Sequence, residues 1–109
     1  MVEQPREHIL ACLSSAPSNA KIIRTAATMA RAFHCRFTAL FVQTPSHERA
    51  SRSDRDRLRE NVALARSLGA VVETVVGDDV SYQIAEYARL SGVTKIVIGR
   101  SAVTRKHLW

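Results

Sequence analysis

Residues 8–43 read HILACLSSAPSNAKIIRTAATMARAFHCRFTALFVQ, and the alternation inside this stretch decides the fold. The apolar run His8-Ile9-Leu10-Ala11-Cys12-Leu13 stops at Ser14-Ser15-Ala16-Pro17-Ser18-Asn19, a cluster of turn and helix-capping residues, so a strand gives way to a loop. From Ala20 the apolar residues Ile22, Ile23, Ala26, Ala27, Met29, Ala30 and Phe33 recur at spacings of three and four with basic residues between them. That period predicts an amphipathic helix ending near His34. Arg36 to Gln43 (RFTALFVQ) is again apolar and is ended by Thr44-Pro45, because proline cannot continue a strand ladder.

Working outward, the same alternation continues. Ser53-Asp54 or a neighbour caps a second helix with Leu58, Val62, Ala63, Ala65 and Leu68 on its core side, closed by Gly69. Residues 70–76 (AVVETVV) are β-branched and read as a third strand, cut by Gly77-Asp78-Asp79. Those two aspartates read as a turn and a helix cap in preference to a cation site. A third helix starts near Asp79 or Val80 with Ile84, Ala85, Tyr87, Ala88 and Leu90 as its buried stripe, and Ser91-Gly92 closes it. Residues 94–99 (TKIVIG) are the fourth strand, and the final RSAVTRKHLW carries no pattern long enough to assign. Strand and helix alternation throughout predicts an α/β fold with right-handed crossovers and a mostly parallel sheet covered on both faces. In such sheets ligands sit beyond the carboxyl ends of the strands, which places them at the loops beginning at Ser14, Gln43, Gly77 and Gly99.

Length and composition narrow the reading. The 109 residues are one domain's worth, and 46% hydrophobic against 24% charged residues excludes a disordered chain. No apolar run approaches the roughly 20 residues that cross a bilayer, and the opening MVEQPREH is not a secretory signal, so cytoplasmic residence is expected. The net charge of +6 is unevenly spread: residues 8–47 hold Lys21, Arg24, Arg31 and Arg36 without one acid, whereas residues 48–60 alternate five Arg with four acids. A positive surface suits an acidic protein, a nucleotide or a polyanion, but no aromatic-interleaved basic stripe points to dedicated nucleic-acid binding. Cys12 and Cys35 lack metal or disulfide spacing and read as buried thiols. His8, His34, His47 and His107 fall in different elements and read as surface or boundary residues. No nucleophile and base are paired in sequence, so no catalysis is expected of this segment.

The phrases ILACLSSAPSNAKIIRTAATMARAF, FTALFVQTP, LGAVVETVVGDDVSYQIAEYAR and GVTKIVIGRS together resemble the universal stress protein family over nearly the whole chain. Taken in order, with the basic, tryptophan-containing tail, they look more narrowly like the universal-stress-like domain of KdpD-type potassium-sensing histidine kinases. The resemblance implies a three-layer, Rossmann-like open parallel sheet of the adenine nucleotide alpha hydrolase type over residues 1–109. It also implies a non-catalytic regulatory domain between a preceding cytoplasmic domain and the membrane helices of a kinase in the bacterial inner membrane, which it would touch only through that parent. Domains of the family usually finish with a further helix and a fifth strand, so a chain stopping at Trp109 looks like a fragment or a short version, with an edge that a second copy could cover. The alternatives are a free-standing universal stress protein binding a nucleotide and, from charge alone, a nucleic-acid-binding protein.

Site residues follow from the same resemblance. ATP-binding members use an acid after the first strand and a G-x-x-G-(x9)-G-[ST] segment after the fourth; here Ser14 stands at the first and Gly99-Arg100-Ser101-Ala102 at the second, so the ATP cradle is incomplete. Some relatives instead carry a serine pair and an FTAxY signature associated with cyclic di-AMP. Ser14-Ser15-Ala16 and Phe37-Thr38-Ala39-Leu40-Phe41 match these in part, with Phe41 in place of tyrosine. The candidate ligand residues are therefore Ser14, Ser15, Ser18, Arg24, Phe37, Thr38, Ala39, Phe41, Gly99, Arg100 and Ser101, with cyclic di-AMP ahead of ATP. The plainer alternative has the serines capping the first helix and Phe37, Ala39 and Phe41 filling one sheet face. Implied partners are an acidic protein such as another universal stress protein, the rest of the kinase, or a second copy.

Overall fold

The computed structural model describes residues 7–99. In chain order it contains β1 (His8–Cys12), α1 (Asn19–Phe33), β2 (Arg36–Gln43), a 3-10 turn (Pro45–Arg49), α2 (Arg52–Ser67), β3 (Val71–Val76), α3 (Val80–Ser91) and β4 (Lys95–Val97). The expected alternation is therefore present, and the α/β reading holds. The strands form one sheet in the order β3-β2-β1-β4, and every pair is parallel. Register runs from His8 opposite Arg36 to Cys12 opposite Leu40, and from Ile9 opposite Lys95 to Ala11 opposite Val97.

The strand order explains the layers. The first two crossovers step from β1 to β2 to β3, and the third returns past β1 to β4, so the connections part on either side of β1. On one face Ile9, Ala11, Phe37 and Ala39 pack with Ile23, Ala26, Ala27 and Ala30 of α1 and Ala65 of α2. The other face gathers Leu10, Leu40 and Val42 beneath Ile84 and Tyr87 of α3. Ile9, Leu10, Ile23 and Leu40 are all within 1% of complete burial. Each such side chain contributes about 1.5–3 kcal/mol. Helix α1 stops where His34 takes the left-handed conformation (φ 53°) and its N–H reaches back to the Ala30 and Arg31 carbonyls. Gly92 does the same for α3 at φ 70°, where a side chain would be strained.

Two expectations about the helices need correction. The stripe of α3 is narrower than its composition suggested: Ile84, Tyr87 and Ala88 are half-buried, whereas Ala85 is exposed and Leu90 is 70% exposed. Spacings of three and four point the first three at the sheet and turn the other two away. Likewise Ala63 of α2 faces solvent. The cap of α2 falls within the expected neighbourhood, on Ser51, whose hydroxyl accepts from Asp54 N at 3.1 Å.

His8 is not a surface residue. It is 1% exposed, and its Nδ1 lies 3.0 Å from the Ser91 carbonyl at the end of α3, while Nε2 lies 2.8 Å from Thr38 Oγ1. A carbonyl only accepts, so Nδ1 carries the proton and Nε2 accepts from the threonine hydroxyl. Burial, with a smaller push from Arg36, holds this imidazole below its ordinary value against the opposing pull of the Ser91 carbonyl. The backbone N–H of His8 donates to Thr94 Oγ1 at 3.0 Å, and that hydroxyl donates to Glu7 Oε1 at 2.6 Å. One buried ring thus ties β1, β2 and α3 together at the amino end of the sheet.

Candidate functional site

The carboxyl ends of β1 and β2 open into a cleft of about 400 Å³, floored by Leu40, Val42 and Ile84 and walled by Ser14, Ser15, Phe41, Thr44, Ser46 and His47. This volume lies within the about 300–1,000 Å³ usual for small-molecule sites. The position is the one the strand pattern predicted, and the apolar floor with a hydroxyl-rich rim suits a flat ring bearing polar substituents.

The serine loop is held from outside by amides and a guanidinium. Leu13 N donates to Leu40 O at 2.8 Å, extending the pairing of β1 one residue past its end. Asn19 Nδ2 then donates to Cys12 O at 2.9 Å, while its Oδ1 accepts from Ser14 N at 3.2 Å. From α2, Asn61 Nδ2 donates to Ser14 O at 2.8 Å and Arg57 Nη1 to Ser15 O at 3.1 Å. Ser14 Oγ accepts from Ala16 N at 3.2 Å, which leaves the hydroxyl hydrogen to point at an acceptor. Across the cleft Arg55 clamps the 3-10 turn through Glu48 O (2.6 Å) and Ala50 O (3.2 Å). That turn brings His47 edge-on to Phe41, with ring centroids 5.3 Å apart at 68°. Thr44 Oγ1 and Ser46 Oγ share a hydrogen bond of 2.9 Å.

Cys12, His47 and Asp54 are the titratable side chains that line the cleft. Asp54 reaches the cleft with Arg57 Nη1 3.5 Å from its carboxylate, which offsets its charge. Burial pushes the Cys12 thiol up to about 12, so it stays protonated and is a poor nucleophile near neutral pH. Among the described residues no group of three or more His, Cys, Asp or Glu is placed to hold a metal ion. Asp79 is engaged in capping α3, where its Oδ1 accepts from Tyr82 N at 3.1 Å.

Of the sequence-derived candidates, the cleft gathers Ser14, Ser15 and Phe41. Phe37 (7% exposed) and Ala39 (0%) are packed into the α1–α2 face, and Thr38 (4%) is bonded to His8, so these three do not reach it. Alternation along β2 sends Phe37, Ala39 and Phe41 to one face, and only Phe41 lies far enough along the strand to reach the cleft. Ser18 is exposed at the N-cap position of α1 without a side-chain cap bond, which corrects the idea that the serines cap this helix. Arg24 is exposed on α1 away from the cleft. Gly99 follows β4 at the same end of the sheet but is not part of the wall, and Arg100 and Ser101 lie outside the described residues. Sequence reasoning missed Asn19, Arg57, Asn61 and His47. The loop beginning at Gln43 signalled where His47 would come, but nothing local signalled the others. A second, shallower groove of about 270 Å³ lies at the opposite end, between Ala27, Arg31, His34, Cys35 and Gly69.

No protein-family model matches this sequence. Among curated proteins, the chain is 43% identical over 95 residues to the sensor protein KdpD of Clostridium acetobutylicum, covering 87% of this chain and 10% of that protein. It is 30% identical over 100 residues to KdpD of Escherichia coli, covering 92% of this chain and 11% of that protein. The chain therefore spans about a tenth of the length of the curated relatives it matches. Among solved structures, a universal stress protein family member from Burkholderia pseudomallei superposes with a TM-score of 0.70 at 20% identity, covering 97% of this chain and 91% of that one. One from Archaeoglobus fulgidus, solved in complex with dAMP, gives 0.61 at 22% identity over 96% of this chain and 91% of its own. A universal stress protein in complex with cAMP gives 0.64 at 18% identity, covering 94% and 81% respectively. The chain thus carries the universal stress protein fold in a sequence similar to one segment of KdpD sensor proteins.

Proposed function

We propose that this domain is the regulatory, non-catalytic part of a KdpD-type sensor histidine kinase acting in potassium and osmotic signalling, and that it holds an anionic nucleotide in the cleft beyond β1 and β2. The observation that carries this reading is the 43% identity to a KdpD protein over 87% of the chain. The cleft supports the ligand: Ser14, Ser15, Thr44 and Ser46 offer hydroxyls to phosphate or ribose oxygens, and Phe41 with His47 offers an aromatic edge to a base. Ser14 in place of an acid favours cyclic di-AMP over ATP. The exposed basic residues Lys21, Arg24 and Arg31 of α1, a helix without acids, suit an acidic protein partner such as another universal stress protein. Regulation then requires that ligand or partner bind one signalling state of the kinase more tightly than the other. No helix among the described residues is long and apolar enough to cross a membrane.

A second reading, a free-standing universal stress protein holding a nucleotide, is favoured by the likeness in fold to proteins solved with cAMP and dAMP. Calorimetric titration with cyclic di-AMP, ATP, cAMP and AMP tests the ligand. The proposal expects heat with cyclic di-AMP that Ser15→Ala weakens, and absence of heat with all four overturns it. Uptake of ATP in preference to cyclic di-AMP selects the second reading. A reading frame that continues past Trp109 into apolar helices and a kinase core distinguishes the parents.

A further inference from the structure

Among the described residues the cleft beyond β1 and β2 is lined by one carboxylate, Asp54 in the first turn of α2, and by no lysine or arginine. Ser51 and Asp54 stand at the spacing of a capping box, in which the acid returns a hydrogen bond to the serine N–H. Only half of that box is formed. Ser51 Oγ accepts from Asp54 N at 3.1 Å, but among the described residues the Asp54 side chain takes its one hydrogen bond from Arg57 Nη1, at 3.5 Å through Oδ1. Capping therefore does not account for where this carboxylate is held. The same Nη1 donates to Ser15 O at 3.1 Å, so one guanidinium nitrogen sets Asp54 beside the serine loop. The Asp54 side chain is 46% exposed, and its Oδ2 has no hydrogen bond among the described residues. Arg57 offsets the charge, but ionised carboxylate oxygens accept and do not donate.

We infer, resting on the nucleotide reading of this cleft, that Asp54 selects ribonucleotides over deoxyribonucleotides, its carboxylate accepting from a ribose 2′-hydroxyl. An anionic nucleotide presents phosphate oxygens, which only accept, and a carboxylate repels them. The group of the ligand that Asp54 takes must therefore be a donor. In a ring closed through the 3′ and 5′ oxygens, as in cyclic di-AMP, the 2′-hydroxyl is the one donor the sugar keeps. The adenine amino group also donates, but the base is drawn elsewhere: Phe41 and His47 offer it an aromatic wall at the end of β2. A base on that wall leaves its sugar towards the serine loop, where Arg57 holds Asp54. The phosphate oxygens are then left to the rim hydroxyls, which can donate to them. A charged acceptor beside a sugar that lacks its hydroxyl gains nothing and still repels the phosphates, so the same residue that favours the ribose ligand disfavours the deoxy one.

Calorimetric titration of the parent and of Asp54→Ala with three ligands tests this: cyclic di-AMP, its bis-deoxy analogue, and cyclic di-IMP, which keeps the ribose and lacks the amino group. The parent is expected to prefer cyclic di-AMP over the deoxy analogue by about ten- to a hundredfold, the range of a hydrogen bond to a charged group, and to accept cyclic di-IMP about as well. Asp54→Ala is expected to lose the preference, binding the ribose ligand more weakly and the deoxy ligand no worse than the parent does. Asp54→Asn, which retains an acceptor oxygen, is expected to recover part of it. Both variants keep the Ser51 cap on the backbone of residue 54 and the bond from Arg57 to Ser15 O, so circular dichroism should match the parent's. Equal affinity of the parent for the ribose and deoxy ligands, a preference that Asp54→Ala retains, or a loss confined to cyclic di-IMP overturns the role of Asp54 and leaves the nucleotide reading standing. A parent that binds none of the three overturns both.

Discussion

Replacing Thr38 by valine removes one hydroxyl and leaves the shape of a β-branched side chain, so strand geometry and packing volume are nearly unchanged. The hydroxyl is the donor to His8 Nε2 at 2.8 Å, in a place where the ring is 1% exposed and the threonine 4%. No water reaches a nitrogen so enclosed, and an unpaired buried acceptor costs about 1–3 kcal/mol. Against a domain stability of about 5–15 kcal/mol this is a large fraction. It corresponds to a melting temperature lower by about 4–8 °C per kcal/mol for domains near this size. Urea and thermal melts at neutral pH, followed by circular dichroism, measure it, and Thr38→Ser, which keeps the donor, is expected to recover most of the loss. A Thr38→Val chain that melts with its parent would refute the assignment of His8 as the amino-end tie between β1, β2 and α3.

The imidazole of His8 also sets a pH dependence. Its folded value lies below the ordinary one because burial disfavours the charged form, so the unfolded chain takes the proton first as the medium acidifies. Stability is therefore full above about pH 6.5 and falls as pH drops from there towards the folded value, and urea midpoints that do not shift between about pH 7.5 and 5.5 would contradict this. Asn61→Leu takes the donor from Ser14 O, and it is expected to cost about 1–3 kcal/mol and to speed hydrogen exchange at Ser14, Ser15 and Ala16 while leaving exchange in β2 as in the parent. Asp79→Ala removes the cap from Tyr82 N and should cost about 0.5–2 kcal/mol, with exchange raised first in α3. That helix is the one most exposed to the change, because it contains no buried residue whereas α1 contains five.

Most of the fold was legible because each element announces itself locally. Ile23, Ala26, Ala27 and Ala30 repeat at the helical period and are the apolar residues α1 buries, and the capping residues after β1 and β3 fall where the chain turns. The misreadings share a cause. His8 beside Ile9 looks like a strand-edge residue until its partners, thirty and eighty-three positions away, fold against it. Leu90 and Ala85 look like members of an apolar stripe, but they fall off the spacing of Ile84, Tyr87 and Ala88 that faces the sheet, and so they are exposed. The site divides in the same way. Ser14, Ser15 and Phe41 lie at the ends of strands, where the general rule for open sheets puts ligands, whereas Phe37 and Ala39 belong to a strand interior and serve the core. Arg57 and Asn61 hold the serine loop from a helix more than forty residues on, and no local pattern in an arginine-rich segment distinguishes them from their solvent-facing neighbours.

The proposed assignment of the cleft to a nucleotide is tested most directly by amide chemical-shift mapping of the isotopically labelled chain during titration with cyclic di-AMP. The account predicts shifts concentrated at Ser14, Ser15, Phe41, Thr44, His47 and Ile84, with Ala27, His34 and Gly69 at the far groove unmoved. A spectrum that does not change at saturating ligand, or one whose changes gather at the far groove, would contradict it.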